Sequence, residues 1–332
     1  MDKLLILGGT NFIGRNLVDS LLKLDKFDIT LFNRGKTNPD LFPEIKQLHG
    51  DRNTSEIHLI DKEAWDYIID LSCYYPHSLA DIVSHLHKAP KRFIFISTCS
   101  VYNMDVDKSI LRDENSAILG CTEKEKIDSS PATYGKRKAE CERILTQSDL
   151  KYTIFRPALV YGQYDYTDRF YYWLYQIKKE KELLIPNQGK NLLSVTYVKD
   201  LVDVIIKSLK DDFASDIYNV TTYPDLTIAK IFDTTSQLLD KQPRVFSPNS
   251  DFLNDNKVAQ WNDIPLWLDC DYYTYNNRKI LKDLKMKITD FKDSVSETID
   301  YYERLNWQKP GFGISEKIKN KLIEKLKKLK AD

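Results

Sequence analysis

Through the first half of the chain, apolar runs of four to six residues alternate with longer stretches whose apolar positions recur every three or four residues. The runs Leu4–Leu7, Ile29–Phe32, Tyr67–Leu71, Phe93–Ile96 and Tyr152–Phe155 predict strands, with a shorter, more polar one near Ile45–Leu48. The amphipathic stretches Ile13–Leu24, Leu79–His87 and Tyr134–Leu145 predict helices. Strand, helix, strand in repetition is the pattern of an α/β protein with a doubly wound parallel sheet and right-handed crossovers. After Pro157 aromatic residues crowd together, as in Phe170-Tyr171-Tyr172-Trp173 and Pro265-Leu266-Trp267-Leu268. That texture suits a smaller domain closing on a ligand, and equally suits plain core packing. The stretch Ser194–Leu209 reads as strand then helix and is expected to return to the first sheet. The expected division is therefore interleaved: 1–165 with 191–212 for the first domain, 166–190 and 213–332 for a substrate-binding second.

At the C-terminus, Ile318, Leu322, Leu326 and Leu329 share one helical face, surrounded by Lys317, Lys319, Lys321, Lys325, Lys327, Lys328 and Lys330. A basic amphipathic helix can meet membrane or RNA. The plainer expectation is a helix docked by its apolar stripe with lysines in solvent.

Composition narrows the class. The chain has 332 residues, 42% hydrophobic and 30% charged, as in a globular protein of about two domains. Lys+Arg and Asp+Glu are both 49, so the balanced charge argues against a protein that coats nucleic acid or an anionic membrane. No apolar run reaches the roughly 20 residues of a membrane span. Cys73, Cys99, Cys121, Cys141 and Cys270 have no CxxC spacing, so neither a disulfide framework nor a zinc site is expected. His85 and His87, the tight histidine pair, sit at i,i+2 on different helical faces, and no metal is expected. The reading is a cytoplasmic, reduced protein.

The candidate chemistry starts at Gly8-Gly9-Thr10-Asn11-Phe12-Ile13-Gly14, between the first strand and the first helix. Glycines let the backbone turn sharply and approach a pyrophosphate whose charge meets the helix N-terminus, the mark of a Rossmann dinucleotide site. Asn11 stands where a middle glycine is usual, and asparagine tolerates positive φ. The second strand ends Asn33-Arg34-Gly35 without the acid that binds a ribose 2′-hydroxyl. Arg34 offers a planar fork to a 2′-phosphate, so NADP is expected over NAD. Asp51 and Arg52, after the third strand, are placed to reach the adenine. Leu71 and Ser72 at the end of the next strand complete the expected cofactor set on this side.

Tyr134-x-x-x-Lys138 follows Pro131, a helix-start residue. Residues at i and i+4 share a face. A free tyrosine with a pKa near 10 is ionised roughly once in a thousand at pH 7, and a nearby ammonium favours the phenolate. Tyr134 is thus the candidate acid/base and Lys138 its partner. Hydroxyls at the end of the fifth strand, Thr98 or Ser97, could hold the substrate oxygen, although Ser97 and Ser100 could equally satisfy strand-end backbone.

With the glycine loop, Ser97-Thr98-Cys99-Ser100-Val101-Tyr102, Tyr-x-x-x-Lys and Arg156-Pro157-Ala158-Leu159-Val160-Tyr161-Gly162 in that order, the chain resembles an extended short-chain dehydrogenase/reductase of the NAD-dependent epimerase/dehydratase superfamily. The resemblance implies hydride transfer at a secondary alcohol or ketone, by reduction or epimerisation, of a sugar or sugar nucleotide. It carries the hydroxyl role onto Thr98, sets Pro157 and Leu159 beside the nicotinamide, and implies a homodimer. Dehydratases of the superfamily follow the threonine with Asp-Glu; Cys99-Ser100 here argues against dehydration. Asn11, Asn33-Arg34-Gly35 and Thr167-Asp168-Arg169-Phe170 are similar to an atypical branch that also holds the chloroplast stem-loop RNA-binding proteins, and the alternative it implies is a nucleotide-binding RNA protein or regulator with little catalysis. Tyr161, Arg169, Tyr172 and Trp267 are candidates for the substrate pocket wall, each with core packing or surface as the competing reading.

Overall fold

A computed structural model describes residues 1–210 and 214–329; Lys330 of the basic C-terminal stretch lies outside the described residues. The chain divides into two compact units: Met1–Ala158 with Val198–Thr221 and Tyr275–Ile288, and Leu159–Tyr197 with Thr222–Thr274 and Thr289–Asp332.

The first unit is built on β1 (Asp2–Leu7), β2 (Phe27–Asn33), β3 (Lys46–His49), β4 (Tyr67–Asp70), β5 (Arg92–Ile96) and β6 (Tyr152–Pro157). The second carries β7 (Leu159–Tyr161), β8 (Glu182–Leu184) and β9 (Leu192–Tyr197) before β10 (Asp216–Val220) rejoins the first. The seven-stranded sheet runs β10-β6-β5-β4-β1-β2-β3, and every pairing in it is parallel. The order reverses between β1 and β4, where doubly wound sheets bind their ligands.

Helices α1 (Phe12–Leu24), α2 (Pro76–His85), α3 (Glu123–Ile127), α4 (Tyr134–Thr146), α5 (Arg169–Lys179) and α6 (Val198–Lys207) follow in chain order. Within the first unit α1 lies beside α6 and α2 beside α4. Leu5, Leu7, Ile68, Phe93, Phe95 and Ile154 join Leu79, Ile82, Cys141 and Leu145 of α2 and α4 in one apolar cluster. The alternate residues Leu4, Ile6, Ile69 and Ile94 point to the opposite face and are fully buried as well. Covered on both faces, these strands have to read as continuous apolar runs rather than alternating ones, which is why the sequence pattern is plain there.

The returning segment differs from the sequence reading. Strand β9 belongs to a four-stranded sheet of the second unit, between β11 (Tyr223–Thr227), antiparallel to it, and β13 (Tyr272–Tyr273), with β7 also pairing to it. The helix that follows, α6, belongs to the first unit, and β10 closes the parallel sheet beside β6. Asp216-Ile217-Tyr218-Asn219-Val220 is too polar to read as a sheet strand from its residues; its Asn219 is fully buried because Tyr102 Oη, Arg112 O and Glu114 Oε1 all satisfy it. Strands β8 and β12 (Arg244–Phe246) form a small parallel pair in the second unit.

The C-terminal helix Glu316–Leu329 buries Lys319, Leu322 and Ile323, while Ile318 and Leu329 are exposed. The docked face is therefore rotated from the expected stripe. Lys319 drives the rotation: its Nζ lies 2.7 Å from Glu180 Oε2 and 3.1 Å from Gln176 Oε1. Among the described residues no helix is long and apolar enough to cross a membrane.

Candidate active site

Strand β1 ends at Leu7, and the backbone turns through Gly8 (φ +113°) and Gly9 (φ +107°) into α1. A Cβ on Gly9 would lie 2.9 Å from Leu31 Cδ2, and one on Gly14 would lie 2.7 Å from the backbone N and Cα of Gly9. Only glycines permit helix and turn to close this tightly, which leaves a cradle for a phosphate at the positive end of α1. Asn11 does not adopt the positive φ expected of it. It is extended at φ −135° and caps the helix, its Oδ1 accepting from Phe12 N at 3.0 Å; Phe12, at φ +30°, takes the unusual angle instead. Thr10 is buried with its carbonyl accepting from Asn38 Nδ2 at 2.8 Å, and Ile13 is half-buried.

The tips of the neighbouring strands surround this turn. Asn33 donates to Gln47 Oε1 at 3.0 Å and accepts from Gly35 N at 2.7 Å, so its amide is committed. Arg34 is exposed. Arg52 is not free to reach an adenine: its guanidinium grips Asp70 at 2.6 and 2.8 Å, with Ser78 Oγ at 2.7 Å and Ser72 Oγ at 3.2 Å. Burial opposes that charge, but the Asp70 carboxylate outweighs it and holds Arg52 above the ordinary arginine range. The pair clamps the Gly50–Arg52 turn onto β4. Asp51 stays half-exposed, accepting from Asn53 N at 3.0 Å. Ser72 Oγ donates to Leu7 O at 3.2 Å, and a Cβ on Gly8 would touch Leu71 Cβ at 3.4 Å, so both residues line the turn.

Helix α4 brings the second group. Gly135 is the residue that sets it: a Cβ there would stand 2.1 Å from Ser100 O, so the helix N-terminus presses directly on the segment after β5. Thr98 caps the short turn Cys99–Val101, accepting from Ser100 N at 3.1 Å and donating to Ser100 Oγ at 3.2 Å, and is half-buried. Ser97 is committed elsewhere. Its Oγ donates to Glu142 Oε1 at 2.5 Å, inside a buried chain in which Arg156 pairs with Glu142 at 2.6 Å and donates to Tyr102 Oη at 2.9 Å. Thr98 therefore keeps its hydroxyl at the site while Ser97 anchors the floor under it. Tyr134 opens α4 half-buried, its ring 6.0 Å from that of Tyr74. One turn on, Lys138 is buried over the Phe95 ring, with Nζ donating to Ile96 O at 2.6 Å and to Cys73 O at 3.0 Å. Burial lowers its pKa, though the two carbonyls favour the ammonium. Pro157 ends β6 in the first unit, buried.

In the second unit, Tyr161 is fully buried, stacked on Phe170 at 3.9 Å and bonded to Ser294 Oγ at 2.6 Å. Tyr172 and Trp267 are also in its core, so these three pack. Leu159, the first residue of β7, is half-buried. Arg169 is half-buried, its guanidinium 4.4 Å over Phe312 and 5.7 Å over Trp261.

Gly135, Glu142 and Asn219 escaped the sequence reading. Gly135 had a readable signal, a glycine directly after the tyrosine inside a helix where it weakens propensity. The Glu142–Arg156 pair had none, because its partners lie on different elements.

The chain is 27% identical over 235 residues to the chloroplast stem-loop binding protein of 41 kDa b of Arabidopsis thaliana, covering 66% of this chain and spanning only 58% of that protein. It is 23% identical over 342 residues to human dTDP-D-glucose 4,6-dehydratase, covering 92% of each. The crystal structure of UDP-glucuronic acid 4-epimerase from Bacillus cereus in complex with NAD superposes with a TM-score of 0.70 at 17% identity, over 91% of this chain and 99% of the other. The profile of the NAD dependent epimerase/dehydratase family matches residues 4–221, a stretch that holds the glycine turn, Thr98, Tyr134 and Lys138, and the chain belongs to that family.

Proposed function

We propose that this protein transfers a hydride between a nicotinamide dinucleotide and a secondary alcohol or ketone of a sugar nucleotide, by reduction or epimerisation. The observation that carries the reading is the placement of Thr98, Tyr134 and Lys138 at the carboxyl ends of the central strands, in the unit whose glycine turn lies at the sheet's reversal point. The glycine turn, where a Cβ at Gly9 would strike Leu31 and one at Gly14 the Gly9 backbone, packs tightly against the start of α1, which supports a pyrophosphate at that helix N-terminus. The bound nicotinamide would supply and accept the hydride. Thr98 Oγ1, turning its proton away from Ser100 Oγ, would donate to the substrate oxygen, and Tyr134 Oη would give or take its proton. Lys138, with two of its three protons fixed on carbonyls, keeps one more to donate and holds a positive charge one turn from the phenol.

The relatives named above include a dehydratase as well as an epimerase. Elimination of water calls for an acid and a base beyond the tyrosine. Here Cys99 is buried with its thiol directed to Arg156 O, and the nearby Glu142 is neutralised by Arg156, which supports redox or epimerase chemistry over dehydration. For the cofactor, the exposed Arg34 and the committed Asn33 support NADP, whereas the NAD in complex with the Bacillus cereus epimerase supports NAD. Binding of RNA draws support from the chloroplast relative, but Lys319 is buried and Lys327 is paired with Glu182 and Glu324, which reduces the basic face.

The test is incubation with UDP- and dTDP-hexoses and each dinucleotide, followed by NMR and mass spectrometry. An inverted or reduced carbinol supports the proposal. A product lighter by one water would replace it with dehydration, and inertness toward all nucleotide sugars would remove the substrate class.

A further inference from the structure

We propose that His58, Asp81 and His85 form a binding site for one borderline-soft divalent cation of the zinc or nickel type. Asp81 and His85 stand at i,i+4 in the last turns of α2, and His58 projects from the 3-10 segment Ser55–Lys62 beside it. One donor atom from each of the three lies within 4.8 Å of the others. His58 Nε2 is 3.7 Å from Asp81 Oδ2, His85 Nδ1 is 3.1 Å from Asp81 Oδ1, and the two imidazole rings meet edge to face at 4.5 Å. Metal–ligand bonds of about 2.0–2.2 Å in tetrahedral array separate donors by roughly 3.3–3.6 Å, so closing the set needs only side-chain rotation.

The second observation is Asp61. Its Oδ2 lies 2.9 Å from His58 Nδ1, which fixes the ring and leaves Nε2 as the lone-pair donor facing Asp81. His85 Nδ1 also approaches Asp81 O at 2.9 Å and Ser84 Oγ at 3.0 Å, contacts that a metal would displace or that the other ring nitrogen would leave in place. Beneath the cluster Ile57 and Ile60 pack with Leu79 and Ile82 in one apolar core, so the two elements that bear the donors are held together without any metal. Two imidazoles and one carboxylate with an open fourth position suit zinc, cobalt, nickel or copper, and suit magnesium poorly. Histidine spacing along the chain did not reveal this set, because the partner of His85 is His58 on another element rather than His87.

The site is remote from the glycine turn. Helix α2 begins just after the carboxyl end of β4 and, as the crossover to the parallel β5, runs 10 residues, about 15 Å, back toward the amino ends of the strands. A metal here would staple Ser55–Lys62 to α2 without entering the hydride chemistry.

The experiment is calorimetric titration of the chelator-stripped full chain with zinc chloride, and with magnesium chloride as control. A Cys121→Ser, Cys270→Ser background removes the two half-exposed thiols. Saturable binding of one zinc, absent for magnesium, is expected, together with a raised thermal midpoint. His58→Gln and His85→Gln, at sites exposed enough to leave the fold intact by circular dichroism, should each weaken zinc at least about tenfold, and Asp61→Asn by about 10–100-fold. His87→Ala should change nothing. No saturable zinc binding at millimolar metal would overturn the proposal, as would zinc binding that survives both histidine substitutions or is matched by magnesium.

Discussion

At the residue scale, Tyr134 and Arg34 each make a claim that one substitution can test. Tyr134→Phe removes only the phenolic oxygen at the head of α4, so turnover should fall by about 10²–10⁴ while dinucleotide affinity in calorimetry stays within twofold. Undiminished turnover would take Tyr134 out of the mechanism. Arg34 is exposed, with its neighbour Asn33 tied to Gln47 and Gly35. A charged fork on a 2′-phosphate contributes about 1.5–3 kcal/mol per hydrogen bond, or roughly one to two decades of affinity. Arg34→Ala should therefore weaken NADP by that factor and leave NAD unchanged; NAD binding as tightly as NADP before any substitution would refute the preference. The neighbouring Arg52 shows where reading residues singly stops. Its position after β3 suggested a ligand contact, but Asp70, buried on the next strand, claims the guanidinium first.

At the scale of elements, the contact between α4 and the segment after β5 governs the site. Gly135→Ala would place a methyl group 2.1 Å from Ser100 O, which a helix can relieve only by moving away from Thr98. Stability should drop by about 1–3 kcal/mol in denaturant unfolding, with turnover falling further than that loss explains. A fully active, fully stable variant would show that the contact sets nothing. Elements were legible where one rule governs them. Leu4–Leu7, Tyr67–Asp70 and Arg92–Ile96 are covered on both faces and read as apolar runs. Legibility failed where a distant partner decides: β10 is a polar strand satisfied by Arg112, Glu114 and Tyr102, and the C-terminal helix turns on a buried Lys319 whose acid, Glu180, closes α5. At the site, the glycine turn and the Tyr134–Lys138 spacing were readable because both are local. The residues alone left Thr98 and Ser97 both open and the resemblance favoured Thr98; the partner that occupies Ser97, Glu142, is one that only the fold brings near.

For the whole molecule, the buried acid of the second unit sets a pH response. Asp165 is almost fully buried, and burial pushes its carboxyl up to about 7, against the hydrogen bond from Thr167 N at 2.8 Å. A carboxyl that keeps its proton when folded stabilises the native state below its unfolded pKa near 4. That contribution fades as pH rises toward 7, by at most about 4 kcal/mol. Thermal midpoints between pH 4 and 7 should carry this falling component, and Asp165→Asn should flatten it; identical profiles would refute it. The route of the chain has its own consequence for biosynthesis. The first unit is assembled from Met1–Ala158, Val198–Thr221 and Tyr275–Ile288, so a ribosome must deliver residue 288 before that unit is whole. Until residue 220 is made, β6 offers a bare parallel edge; α1 lacks α6 until residue 207, and Arg92 waits for the carbonyls of Lys210 and Ala214. A fragment ending at Ala158 should sediment as aggregate while the full chain stays dispersed, and a well-behaved fragment would contradict this. An unguarded strand edge carried for about 60 residues of translation, from Pro157 to Val220, makes this nascent chain a natural client for holdase chaperones.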